Sequence, residues 1–103
     1  MGLADMSTFP IPKISLGGRV VIMTGGDRGL GFSMATALMR CGARLVIASN
    51  DSDACTQASR KLDELAGSQR SLAVATNILC LDQCRHAVQR AIEVFGQCDV
   101  LFN

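Results

Sequence analysis

The chain has 103 residues, enough for one small domain and too few for two. Hydrophobic residues make up 49% of it, so it can build a core and is not a disordered tail. The formal net charge of +1 supplies no basic face for nucleic acid or an anionic membrane, and neither is expected as a partner.

The first 13 residues read as a flexible arm, with Pro10 and Pro12 favouring an extended path around Ile11. The arm is expected to run to residue 16. Gly17-Gly18 then turns the chain into the body, residues 17–103. Residues 19–24 (Arg-Val-Val-Ile-Met-Thr) form a short apolar, β-branched run, as expected of a strand buried on both faces. After a glycine-rich stretch, residues 30–41 carry helix formers, with Met34 and Met39 expected in the core, and Gly42 stops the helix. Residues 45–48 (Leu-Val-Ile-Ala) are the second strand. Ser52 is the expected cap of the next helix, whose buried stripe is Ala58, Leu62 and Leu65. The charged run 60–64 (Arg-Lys-Leu-Asp-Glu) is read as that helix's solvated outer face, and Gly67 ends it. Residues 72–75 are a weaker third strand. Cys84, Val88, Ala91 and Phe95 mark the buried stripe of a third helix closed by Gly96, and residues 100–102 begin a fourth strand.

Strands and helices that alternate with short joints imply parallel strands and right-handed crossovers. The expected fold is α/β: a Rossmann-type doubly wound parallel sheet, truncated after about four strands. Because the chain breaks off inside the fourth strand, it is expected to be a piece of a longer protein. An apolar edge left there would make the isolated piece prone to association.

Five cysteines occur, an odd number without a CxxC pair, and the first residues lack a basic-then-apolar start. They are read as reduced thiols in a cytoplasmic protein. Cys80, Cys84 and His86 lie close in sequence, but His86 points about 160° round the helix from Cys84. Structural thiols and a surface histidine are expected there, with no metal.

The segment that carries chemistry is Thr24-Gly25-Gly26-Asp27-Arg28-Gly29-Leu30-Gly31. It follows a buried strand and opens a helix, where free N–H groups and a partial positive charge can receive a diphosphate if no Cβ intrudes. Gly25 allows the tight turn, Gly29 a close backbone approach to the ligand, and Gly31 close packing of the helix. The spacing TGxxxGxG resembles that of the short-chain dehydrogenase/reductase family. Residues 42–48 (Gly-Ala-Arg-Leu-Val-Ile-Ala) resemble the family's second strand and its entry. Residues 95–103 resemble the approach to its Asn-Asn-Ala-Gly segment, of which Asn103 is the first Asn.

This resemblance implies an NADP- or NAD-dependent oxidoreductase acting on a carbonyl or alcohol substrate, with an oligomeric parent. It implies that Gly25, Asp27, Arg28, Gly29, Leu30 and Gly31 line the pyrophosphate and adenosine ribose. Ser49 and Asn50 would face the ribose 2′ position. Asn77 and Ile78 stand where the family has an Asp-Val pair at adenine, and Asn103 would sit by the nicotinamide-side ribose. No carboxylate closes the second strand, and Arg28 lies inside the loop, so NADP is expected over NAD. The family's Ser, Tyr and Lys catalytic set cannot be present, since the chain has no Tyr. Cys80 also replaces the Asp that caps the third helix in the family, leaving Asp82 to take over or the end to fray. Two other readings stay open. One is a nucleotide- or partner-binding module without catalysis. The other is an S-adenosylmethionine site, which expects an acid where Ser49-Asn50 stand.

Overall fold

A computed structural model describes residues 15–103. Residues 1–14 of the expected arm lie outside the described residues. Leu16, at the arm's expected end, packs against the core and donates its N–H to the Cys41 carbonyl at 2.7 Å.

The elements run β1 (Val20–Thr24), α1 (Gly29–Arg40), β2 (Arg44–Ser49), α2 (Ser52–Ala66), β3 (Ser71–Ala75), α3 (Leu81–Phe95) and β4 (Val100–Phe102). All pairings are parallel, and the strand order is β3-β2-β1-β4. The chain therefore steps outward from β1 to β3 and then crosses back to lay β4 on the other side of β1. Because parallel crossovers keep one hand, that reversal also changes the face covered. Alternate residues of each strand point to opposite faces. Val21, Met23, Leu45 and Ile47 pack with Ala35, Met39, Cys55, Ala58 and Leu62 beneath α1 and α2. Val20, Ile22, Val46, Ala48 and Val74 pack with Ala87 and Ala91 beneath α3. The doubly wound α/β fold read from the sequence is the fold observed.

Several packing details differ from expectation. Leu65 is exposed, and the buried stripe of α2 is Cys55, Ala58 and Leu62. In α3 the fully buried positions are Ala87 and Ala91, while Val88 is exposed. Met39 is core but Met34 is exposed, with Ala35 in the buried place beside it. At these points a small side chain lets the helix backbone lie close to the sheet, and the larger neighbour is turned outward. Asp63 is not part of a solvated charge run. Its Oδ1 accepts from the N–H groups of Arg70 (2.9 Å) and Ser71 (2.8 Å) and from the Ser71 hydroxyl (2.9 Å), tying the end of α2 to the start of β3.

The helix ends follow local chemistry. Gly67 and Gly96 take left-handed conformations just past α2 and α3, where a side chain would be strained. Asp51, not Ser52, caps α2: its Oδ1 accepts from the Ala54 N–H at 3.0 Å. At α3 Cys80 makes no capping bond, and Asp82, the expected replacement, pairs loosely with Arg85 at 3.8 Å. Instead Asn77 makes a local turn, accepting from the Leu79 N–H at 3.0 Å, and Gln83 accepts from the Asn77 N–H at 2.7 Å.

At the N-terminal end of the sheet, Asp99 Oδ2 accepts from the Val20 N–H at 2.8 Å and from Gln97 at 2.6 Å, with Arg19 at 3.5 Å from Oδ1. The Val20 N–H, then Gln97 and Arg19, hold the Asp99 carboxyl below its usual range of 3.8. A depressed folded value stabilises above the unfolded value and is lost as pH falls through the folded one. Asp99→Asn will therefore lower the urea midpoint near neutral pH, and the gap from the parent chain will close on acidification below about pH 4. A gap that stays constant with pH would show that the charge is not the source of the contribution.

Candidate nucleotide site

The glycine segment sits at the junction of β1 and α1, at the C-terminal end of an interior strand. That end of the sheet, beside the reversal in strand order, is where open parallel sheets form ligand crevices. Gly25 has φ +69° and Gly29 has φ +57°, and a Cβ added to either would meet no protein atom within 4 Å. The space beside the loop is clear, and the backbone there takes a form that other residues resist. Gly31 is constrained differently: a Cβ would lie 2.0 Å from the Gly25 carbonyl oxygen. Close contact between the first turn of α1 and the end of β1 thus requires a hydrogen at residue 31. Gly26, which the sequence reading did not single out, is also tight, its missing Cβ falling 3.1 Å from Ile47 and 3.2 Å from Met23.

The N-terminus of α1 has no side-chain cap and no acid in its first turn. Its N-cap is Arg28, in extended conformation, and the first helical bond runs from the Phe32 N–H to the Arg28 carbonyl at 3.2 Å. By contrast α2 carries both a capping Asp51 and an acid, Asp53, in its first turn. Among the described helices α1 alone has neither a capping side chain nor an acid in its first turn, and a diphosphate fits its chemistry.

Around this loop the expected residues divide between adjoining clefts. A cleft of about 470 Å³ is lined by Thr24, Gly25, Ala48, Ser49, Asn50, Thr76, Asn77, Ile78 and Leu79. It brings together the expected Gly25, Ser49, Asn50, Asn77 and Ile78 from the ends of three strands. A second, of about 580 Å³, opens between α1 and α2 and is lined by Asp27, Arg28 and Gly29 with Phe32, Asp51, Asp53 and Lys61 among others. Asn103 lines a third, apolar cavity of about 310 Å³ with Thr24, Ile78, Cys84 and Leu101, and its Oδ1 accepts from the Thr24 hydroxyl at 2.6 Å. Leu30 is exposed, and neither it nor Gly31 lines any of these three clefts.

The main electrostatic feature is a bridge around Arg28. Its Nε donates to Asp27 at 2.9 Å and its Nη2 to Asp51 at 2.7 Å. Asp51, then Asp27, push the Arg28 pKa above its already high ordinary value. Asp51 is held below its usual carboxylate range, first by the Ala54 N–H and next by Arg28. The sequence reading placed Asp27 and Arg28 at the site but not the pairing of Arg28 with Asp51, because a partner 23 residues away along the chain leaves no local signature. Thr24 and Thr76 also line the clefts without having been singled out as site residues. Ser49 is partly engaged, its hydroxyl accepting from the Asp51 N–H at 3.2 Å and its carbonyl from the Thr76 N–H at 2.7 Å.

The sequence matches the short chain dehydrogenase family over residues 19–103. The chain belongs to that family. Among curated relatives, the chain is 36% identical over 88 residues to a peroxisomal 2,4-dienoyl-CoA reductase of Danio rerio, covering 85% of this chain and 29% of the relative. Its fold is similar to that of L-sorbose reductase from Gluconobacter frateurii, a structure complexed with NADPH and L-sorbose, with a TM-score of 0.80 at 28% identity. That match covers 87% of this chain and 34% of the other. It is also similar to 3-ketoacyl-(acyl-carrier-protein) reductase from Brucella melitensis, complexed with NADH, with a TM-score of 0.76 at 31% identity over 84% of this chain and 34% of that one. The chain thus spans roughly a third of the length of these proteins. The two complexes hold different nicotinamide cofactors, so kinship alone does not choose between them.

All five cysteines are free thiols. Burial raises the pKa of Cys55 and of Cys98, which makes both poor nucleophiles. Among the described residues no three His, Cys, Asp or Glu side chains gather as a metal site, and no helix is long and apolar enough to cross a membrane.

The two loop glycines separate experimentally. Gly31→Ala forces a methyl group against backbone and will cost about 1–3 kcal/mol or more. Gly29→Ala meets open space and pays only for its left-handed backbone, about 1–2 kcal/mol. Urea denaturation of the two variants checks the order. An innocuous Gly31→Ala would mean that α1 does not approach β1 this closely.

Proposed function

We propose that the intact protein is an oxidoreductase that transfers hydride between NADP(H) and a small carbonyl or alcohol substrate, and that this stretch holds the cofactor's adenosine diphosphate half. The observation that carries the reading is the uncapped, acid-free N-terminus of α1 opening from a side-chain-free loop beside a cleft at the strand ends. The amides around Gly25, Gly29 and Gly31 receive the pyrophosphate, flanked by Leu30 and Asp27. Asn77 and Ile78 flank adenine across the cleft from Gly25. Ser49 and Asn50 lie toward the ribose 2′ position, and Asn103, positioned by Thr24, lies toward the nicotinamide-side ribose. Hydride donation and acceptance are chemistry that the nicotinamide supplies when bound. These residues bind and orient it.

The preference for NADP rests on two features of this chain. Ser49 and Asn50 present no carboxylate at the end of β2 to repel a 2′-phosphate or to grip a ribose diol. Arg28 places a guanidinium at the margin of the loop, a group suited to forking onto phosphate. The family's Tyr proton donor has no counterpart here, since the chain contains no Tyr. Turnover, the substrate and the oligomeric assembly therefore belong to the intact protein. The five unbridged cysteines of this chain suit a reducing compartment such as the cytoplasm.

The absence of Tyr also favours a second reading, in which the chain binds nucleotide without turning it over. Calorimetric titration of the chain with NADPH, NADH and S-adenosylmethionine tests what both readings share. Saturable binding of NADPH, weaker binding of NADH and none of S-adenosylmethionine is the expected pattern. Binding of S-adenosylmethionine alone, or of none of the three, would overturn the nucleotide assignment.

A further inference from the structure

We propose that Asp51 moderates the nucleotide preference of this protein by holding Arg28, and that a 2′-phosphate reaches Arg28 only by exchanging with the Asp51 carboxylate. The inference rests on the dinucleotide reading above and adds to it the residue that tunes the choice.

The guanidinium fork of Arg28 is divided between two carboxylates of unlike character. The Asp27 side chain is only 4% exposed, whereas that of Asp51 is 45% exposed and that of Arg28 66%. A buried carboxylate cannot release its cation without being stranded away from water, so the Asp27 contact is the lasting one. The Arg28–Asp51 contact, at 2.7 Å, is an ion pair in solvent, and such pairs are weak enough to exchange. The exposed Nη edge of Arg28 is thus the edge a phosphate can take, and Asp51 already occupies it.

Asp51 is fixed independently of Arg28. Its other oxygen caps α2 through the Ala54 N–H, and its own N–H donates to the Ser49 hydroxyl. Its carboxylate is therefore held two residues beyond the end of β2, whether or not Arg28 is engaged. The lining of this cleft holds three carboxylates, Asp27, Asp51 and Asp53, against two cations, Arg28 and Lys61. A 2′-phosphate arriving there meets an excess of negative charge and a cation already spoken for. An unmodified ribose diol meets neither obstacle. Asp51 is thus a positioning residue that acts through Arg28, and it moderates the preference that Ser49, Asn50 and Arg28 would otherwise produce.

The test uses Asp51→Asn, which removes the charge and keeps the cap, since Asn and Asp cap helices about equally well. The full chain and this variant are titrated with 2′,5′-ADP and with 5′-ADP. Asp51→Asn is expected to bind 2′,5′-ADP about ten-fold more tightly and 5′-ADP within about two-fold of the parent chain. Adding Arg28→Gln should abolish the gain. A ligand-free readout accompanies it: the Arg28 Nη resonances should shift in Asp51→Asn, while the Nε resonance, whose partner is Asp27, stays near its position in the parent chain. An unchanged ratio of the two affinities, an equal gain for both ligands, or a gain that survives Arg28→Gln would overturn the role of Asp51. If 5′-ADP binds while the ratio stays fixed, only this inference fails. If neither nucleotide binds either protein, the dinucleotide reading fails and carries this one with it.

Discussion

The first turn of α1 lies so near the end of β1 that residue 31 has no room for a methyl group beside the Gly25 carbonyl. That one close approach fixes where the helix begins. It brings the positive end of α1 to the C-terminal edge of the sheet and leaves the helix without a capping side chain. A cap would satisfy those amides internally and remove the reason for an anion to bind there. The cost is a helix end that the fold alone does not complete. It is offset by the two packed faces of β1 and β2, whose central residues are almost wholly buried.

Charge around the loop is balanced at longer range. Arg28 is both the N-cap residue of α1 and the centre of a bridge to the cap of α2 through Asp51. The two helix starts are linked by one guanidinium, so the electrostatics of the diphosphate position and of the β2 terminus are coupled. A nucleotide feature that engages Arg28 must act on both. The reversal in strand order beside β1 supplies the open crevice, and this bridge lines the neighbouring cleft between α1 and α2.

Much of this was legible in the sequence, for identifiable reasons. Strands buried on both faces read as unbroken apolar runs, and the spacing of Gly25, Gly29 and Gly31 records steric demands that few other folds impose. The buried stripes of α2 and α3 were less legible. Periodicity locates a face but does not say whether Leu65 or Cys55, Val88 or Ala87, occupies the position nearest the sheet. Small residues won those places because they permit closer approach. The pairing of Asp51 and the role of Asp63 were not legible because their partners are distant in sequence: Arg28 lies 23 residues before Asp51, and Ser71 lies 8 residues after Asp63. A charged residue in a polar run looks solvated until the fold brings a donor to it. The grouping of Ser49, Asn50, Asn77 and Ile78 around one cleft came from the family resemblance, since nothing local in those four residues points to a ligand.

The account turns on whether the amides at the start of α1 receive a diphosphate. Amide chemical-shift mapping of the isotopically labelled chain during titration with a pyrophosphate-linked adenine dinucleotide tests this most directly. The largest changes are predicted at Gly29, Leu30 and Gly31, with smaller ones at Ser49, Asn50, Asn77 and Ile78. Changes centred instead on the apolar cavity at Cys84, Val88 and Leu101, with the loop amides unmoved, would contradict it.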